Sequence, residues 1–174
     1  MNYERIIKAY LGLGTNLGDR LSNLQRSLKL LFSTPGIELE SFSNIYETEP
    51  VGGPQQGPFL NACLAINTEL SPVDLLLALL SVEEKMQRVR EERWGPRIID
   101  FDLLIYEGVT INTPLLQLPH PRLAERDFVL VPLSDIAPEL IITSVNKTVQ
   151  QVLAERKENP DVKLYRLRNW FKTT

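Results

Sequence analysis

At its most informative point the chain reads Arg93-Trp94-Gly95-Pro96-Arg97-Ile98-Ile99-Asp100-Phe101-Asp102-Leu103-Leu104-Ile105-Tyr106. Residues 98–106 are apolar apart from two aspartates and hold neither Gly nor Pro. The run is short for a helix and carries Ile and aromatic residues, which predicts a strand. Side chains alternate along a strand. Ile99, Phe101, Leu103 and Ile105 then share a core face, and Asp100, Asp102, Leu104 and Tyr106 share the other.

Carboxylates at i and i+2 of a strand lie only ~7 Å apart. At an effective dielectric of ~20 they repel by roughly 2–3 kcal/mol. A core strand tolerates such a pair when something cationic lies over it, most simply one or two divalent ions carrying a polyphosphate. Arg93, Trp94 and Arg97 immediately precede the strand. An arginine fork suits phosphate oxygens, and an indole offers a stacking surface. The bland alternative is a surface strand whose acids pair with those arginines.

The chain has 174 residues and a formal net charge of −3, which suits one domain with a sizeable core and gives no reason to expect a nucleic-acid binder. Arg88, Arg90, Arg93 and Arg97 nonetheless form a local basic patch. The single Cys63 sits in an apolar run and fits a reducing compartment. No stretch resembles a signal peptide or a membrane span, so a soluble, cytoplasmic protein without a membrane partner is expected.

Working outward, residues 6–13 read as a first strand. Gly14-Thr15-Asn16-Leu17-Gly18-Asp19 reads as a turn, and Leu21, Leu24, Leu28 and Leu31 as a helix capped by Asn16 or Asp19. Gly12, Gly14 and Gly18 lack phosphate-loop spacing, so a tight strand-to-helix turn is preferred. Residues 37–46 form a second strand with imperfect alternation. Residues 47–58, with three Pro and three Gly, form a loop able to shape or cover a site.

The run Phe59–Thr68 reads as a third strand, with Phe59, Asn61, Cys63 and Ala65 on one face. A ring beside a carboxamide suits a flat amide-containing heterocycle, although a lone Asn more often bonds neighbouring backbone. Ser71-Pro72-Val73-Asp74 opens a helix. Val109-Thr110-Ile111 reads as a hairpin partner of the Asp-x-Asp strand. His120, the only histidine, is held between Pro119 and Pro121. Residues 126–133 read as a helix with Pro132 in its first turn, Thr148 caps a short helix, and residues 162–170 add a final strand. The order predicts an α+β fold with a ferredoxin-like split βαβ core (β-α-β-β-α-β). It is a mainly antiparallel sheet flanked by helices, with an added hairpin and C-terminal helices.

Arg93-Trp94-Gly95-Pro96-Arg97-x-x-Asp100-x-Asp102 resembles the hallmark of the 6-hydroxymethyl-7,8-dihydropterin pyrophosphokinases of folate biosynthesis. So do Leu118-Pro119-His120-Pro121-Arg122 with Arg126-x-Phe128, Leu13-Gly14-Thr15-Asn16-Leu17-Gly18-Asp19-Arg20, Tyr46-Glu47-Thr48-Glu49-Pro50, Phe59-Leu60-Asn61-Ala62 and Ile136-Ala137-Pro138-Glu139. The likeness covers about residues 6–155, and the last twenty residues carry no family motif.

The length predicts a single domain over residues 1–174, and the resemblance implies that it moves pyrophosphate from ATP to the pterin hydroxymethyl oxygen and releases AMP. It implies two Mg²⁺ on Asp100 and Asp102, with Arg88 and Arg97 acting beside them in catalysis. ATP is expected at Glu83, Arg88, Arg90, Trp94, Arg97, His120 and Arg126. The pterin is expected at Thr48, Val51, Phe59, Asn61 and Phe128. Implied partners are the two small-molecule substrates, with other folate-pathway enzymes as candidate associates of a monomer. Gln87, Pro121 and a shorter run from Arg88 to Trp94 depart from the family pattern. A nucleotidyltransferase and a non-enzymatic sensing domain are the rival readings.

Overall fold

The structure is a computed structural model that describes residues 5–86, 95–156 and 161–172. Strand β1 (Ile7–Thr15) leads into helix α1 (Arg20–Phe32). Then come β2 (Ile37–Phe42), β3 (Ile45–Thr48), β4 (Phe59–Thr68), α2 (Pro72–Lys85) and β5 (Asp100–Tyr106). β6 (Ile111–Asn112) pairs with β7 (Gln117–Leu118). Helix α3 (Asp127–Ile136) follows, then the hairpin of β8 (Ile141–Ile142) and β9 (Lys147–Thr148), α4 (Val149–Ala154) and β10 (Val162–Arg166).

The main sheet has six strands in the order β10-β3-β4-β1-β5, with β2 also paired to β4. All its pairings are antiparallel. β1 and β2 flank β4, which is the split βαβ arrangement the sequence predicted. α1 and α2 bury Leu24, Leu28, Leu31, Leu75 and Leu79 on one face of the sheet, against Leu11, Leu13, Leu64, Ile66 and Phe101. Each fully buried side chain of this size contributes about 1.5–3 kcal/mol. On the opposite face α3 and α4 set Leu130, Leu133 and Val149 over Tyr10, Cys63, Ala65 and Leu104. Among the described residues no helix is long and apolar enough to cross a membrane.

Local chemistry sets the boundaries. The Asp19 carboxylate caps α1 by accepting from the Ser22 N–H at 3.0 Å. Ser71 caps α2 with Pro72 in the first turn, and Thr148 forms a reciprocal cap with Gln151 on α4.

Five expectations need correction. The strand expected over residues 37–46 is two strands, because Ser43 turns inward. Its hydroxyl accepts the Cys63 N–H at 2.8 Å and breaks the alternation. Residues 109–111 do not pair with β5; Ile111 pairs instead with Leu118. Pro132 lies in the second turn of α3, not the first, where it has no N–H to donate to the Phe128 carbonyl. The final strand stops at Arg166, and Trp170 packs edge-on against Phe42 with ring centroids 5.2 Å apart. Ile105 and Tyr106 exchange faces. The β1–β5 register slips between Tyr10 and Leu11, leaving Leu104 as the extra residue. Ile105 therefore joins the α3 side, while Tyr106 turns toward α2.

Candidate active site

The central strand β1 lies between β4 and β5, and its register lines up two rows on the α3 face. Asn61, Gly14 and Asp100 form one row; Cys63, Gly12 and Asp102 form the next. Gly12 lies inside β1 as expected, and Gly14 lies there too, not in the turn expected for it. With ~4.8 Å between strands, Asn61 and Asp100 stand ~10 Å apart across a backbone that carries no side chain. A Cβ on Gly14 would meet Asn61 Oδ1 at 2.8 Å, so only glycine fits there while that amide stays put. A Cβ on Gly12 would meet Leu104 and Asp102 at ordinary contact distances.

Asp100 and Asp102 share a face, as the alternation predicted. Each pairs with an arginine: Asp100 with Arg97, three residues before it, and Asp102 with Arg126 Nη1 at 3.4 Å. The bland alternative is thus partly present, since arginines lie against both acids. They do not neutralise the site. Burial first, and then the charge of Asp100, raise the Asp102 pKa to about 6 against the pull of Arg126 and Arg97. Burial and the neighbouring carboxylate thus outweigh the two guanidinium groups at Asp102. Among the described residues no third His, Cys, Asp or Glu joins the pair to complete a metal cage. Two carboxylates and open space fit Mg²⁺, a hard ion that keeps waters and takes substrate phosphate oxygens as its other ligands.

Beside Asp102 opens a cavity of about 390 Å³, whose lining includes Leu76, Phe101, Leu116, Gln117 and His120. The His120 N–H donates to the Leu104 carbonyl at 2.7 Å, fixing the residue beside β5. Its Nδ1 accepts the Arg122 N–H at 3.2 Å, which leaves the proton of the neutral ring on Nε2. Burial first, then Arg126 and Arg122, push its pKa down to about 4. At neutral pH His120 is an uncharged donor at the cavity wall.

Glu83 is buried, and its Oε1 accepts the Phe101 N–H at 2.8 Å. Among the described residues β5 is an edge strand, so this carboxylate caps an amide that no neighbouring strand reaches. That bond positions the acid-bearing strand.

Across the glycine gap, Asn61 Nδ2 donates to Thr48 Oγ1 at 2.7 Å, and both residues are buried. Asn61 bonds a side chain on β3, not neighbouring backbone. Phe59 is half-buried on the same face of β4. Phe128 stands half-buried at the start of α3, with the Arg126 guanidinium 5.7 Å from its ring centroid. Val51 is exposed on the loop between β3 and β4. Arg88, Arg90 and Trp94 lie outside the described residues, as do Gln87 and the shorter run from Arg88 to Trp94; Pro121 is exposed at the cavity edge.

A model of the family described as 7,8-dihydro-6-hydroxymethylpterin-pyrophosphokinase matches residues 10–138. The chain belongs to this family. The pterin pyrophosphokinases move a pyrophosphoryl group from ATP to 6-hydroxymethyl-7,8-dihydropterin in folate biosynthesis, and that is this chain's function. The 2-amino-4-hydroxy-6-hydroxymethyldihydropteridine pyrophosphokinase of Methylorubrum extorquens is 49% identical over 85% of this chain and 92% of its own length. The enzyme of the same name from Aquifex aeolicus is 40% identical over 87% of this chain and 93% of its own. A crystal structure of Plasmodium falciparum HPPK-DHPS A437G with SDX-DHP superposes with a TM-score of 0.75 at 16% identity, a likeness of fold alone. It covers 94% of this chain, which spans about half of that one, 49%.

Three residues that shape this candidate site escaped the sequence reading of roles. Gly14 strips the sheet face between Asn61 and Asp100; a Gly-x-Gly inside a strand pattern was the available signal. Asn16 joins the two sides. Its Oδ1 accepts the Arg97 N–H at 2.7 Å, and its Nδ2 donates to Gln56 Oε1 at 2.9 Å and the Gly57 carbonyl at 3.0 Å. Arg156 pairs with Asp127 at 2.8 Å and donates to the Ala124 carbonyl, bracing the turn that presents Arg126. Neither partner set of Asn16 nor that of Arg156 is near it in sequence, so spacing held no signal for them.

Proposed function

We propose that the glycine gap separates the two substrates and that the acid pair works between them. The pterin lies on the Asn61 side, edged by Thr48 and Val51 and flanked by Phe59 and Phe128. ATP lies on the other side, its base in the cavity beside Leu76 and Leu116, its phosphates running past His120 and Arg126 toward Asp102. Arg88, Arg90, Trp94 and Arg97 complete the nucleotide site, and Glu83 holds β5 beneath it. The reading takes residues 1–174 as one domain acting as a cytoplasmic monomer. The observation that carries it is the position of the two acids, on one face, between the Asn61 carboxamide and the cavity.

Asp100 and Asp102 would hold two Mg²⁺, which when bound offset charge on the phosphate oxygens and on the leaving oxygen. The pterin hydroxyl attacks the β-phosphorus in line, and AMP leaves. Arg97 and Arg126 now rest on the acids; the arrival of a polyphosphate gives each fork a better planar partner. His120 donates Nε2–H to a phosphate oxygen without adding charge. Arg88 and Arg97 stabilise the transferring group while closure around it excludes water. Among the described residues no side chain stands out as a general base, so the hydroxyl proton passes to solvent, and the chain's task is positioning and electrostatic stabilisation.

Incubation with ATP, Mg²⁺ and the reduced pterin alcohol tests this reading. AMP as the by-product supports it. Pyrophosphate as the by-product would mean attack at the α-phosphorus and would move the chain to the nucleotidyltransferase reading.

A further inference from the structure

We propose that Arg20 is a positioning residue for the pterin: it ties together the two ends of the loop that joins β3 to β4, and the C-terminal strand backs it. The proposal rests on the pterin-site reading above and adds to it a residue outside that site.

Arg20 is the first residue of α1. A cation at a helix N-terminus opposes the helix dipole, so its place there needs an external reason. Three partners supply one. Arg20 Nη2 pairs with Glu47 Oε2 at 2.7 Å. Nη1 donates to the Pro58 carbonyl at 2.9 Å. The guanidinium also lies 5.6 Å from the Tyr165 ring centroid.

The first two partners stand at opposite ends of the same loop. Glu47 immediately precedes Thr48, which accepts from Asn61, and Pro58 immediately precedes Phe59. One planar fork therefore sets the spacing between the strand ends that carry Thr48 and Phe59. The loop has Gly52 and Gly53 at positive φ and offers little stiffness of its own there. Asn16 holds only its second half, at Gln56 and Gly57.

The third partner gives the motif-free C-terminal segment a task. β10 pairs with β3, and the register slips between Leu164 and Arg166, so Tyr165 is the extra residue. Such a bulge re-aims a side chain, and here the ring faces Arg20. Beyond it, Trp170 Nε1 donates to the Ser43 carbonyl at 2.8 Å, and the Trp170 carbonyl accepts from Gln25 Nε2 at 2.6 Å. Those bonds fasten the segment to the start of β3 and to α1.

The test measures pterin and ATP KM and kcat, with Mg²⁺, for Arg20→Ala, Arg20→Lys, Glu47→Gln and Tyr165→Ala, beside Asn61→Ala as the site control. Arg20→Ala should raise the pterin KM about five- to tenfold while the ATP KM and kcat stay within about twofold. Arg20→Lys should recover only part of the loss, since an ammonium lacks the fork that reaches both ends at once. Glu47→Gln and Tyr165→Ala, at half-exposed and exposed positions, should each show a smaller loss of the same kind. The Arg20→Ala/Glu47→Gln double variant should lose less than the two single losses combined. If Arg20→Ala leaves the pterin KM unchanged, or raises both KM values together, while Asn61→Ala weakens pterin alone, the positioning role is wrong and the site reading stands. If Asn61→Ala also spares the pterin KM, both fall.

Discussion

One face of one sheet carries two regions of opposite character. Toward α3 and α4, Tyr10, Cys63, Ala65 and Leu104 are sealed under Leu130 and Leu133. Burial pushes the Cys63 thiol well above its ordinary value, which leaves it inert. Further along the same three strands, Asn61, Gly14, Asp100 and Asp102 look into the gap and the cavity. Both regions share strands, register and twist. They differ in what the residues at alternate positions carry and in whether a helix crosses above. Stability is concentrated where side chains fill the space, and chemistry where glycine empties it.

Substitutions should separate the two regions cleanly, beginning with the acids. Asp102→Asn should lower turnover on the order of 10³-fold or more. Its melting temperature without Mg²⁺ should hold or rise, because a repulsion disappears. Normal turnover in Mg²⁺ would break the assignment. Gly14→Ala should reduce kcat/KM for the pterin on the order of 10²-fold, since the added Cβ displaces the Asn61 amide. Leu133→Ala, in the sealed region, should cost about 2–5 kcal/mol in denaturant melts. Its kcat per folded molecule should change less than twofold.

The pH dependence sharpens the same contrast. Asp102 keeps its proton in the folded, metal-free protein up to about pH 6, whereas an unfolded aspartate loses it near 3.8. Between those values the folded state binds more protons, so this group lowers metal-free stability as pH rises through the window. His120 acts oppositely. The unfolded imidazole gains a proton below 6.5 and the folded one only near 4, so stability falls as pH drops through that window. Thermal melts with and without Mg²⁺ should show a metal-induced stabilisation that grows from pH 5 to pH 7, because only ionised Asp102 takes the ion. A shift independent of pH would remove Asp102 from the metal site. The smallest effect is expected at Gly12→Ala, where the Cβ meets ordinary contacts and activity should stay within about threefold.

Much of this was legible in the chain. Period-two alternation placed Asp100 with Asp102 and Phe59 with Asn61, and capping residues fixed the starts of α1, α2 and α4. Alternation failed where a bulge intervened, at Ile105 and Tyr106, because the slip depends on how β5 meets β1 and not on β5 alone. It failed again at Ser43, whose partner Cys63 is twenty residues away. Glu83, a nucleotide contact by resemblance, also accepts the Phe101 amide eighteen residues away, a bond that no local pattern marks.

Local order in the sequence determined which segments became strands and helices, which faces were apolar, and which residue types were available for phosphate and metal chemistry. These follow from interactions within a few residues, which periodicity and caps record. Only the tertiary structure decided that Gly14 stands between Asn61 and Asp100, that Asn16 and Arg20 tie distant segments, and that Arg126 reaches Asp102. Those relations arise from strand register and helix docking, where the partners are separated by tens of residues and no short-range pattern constrains them.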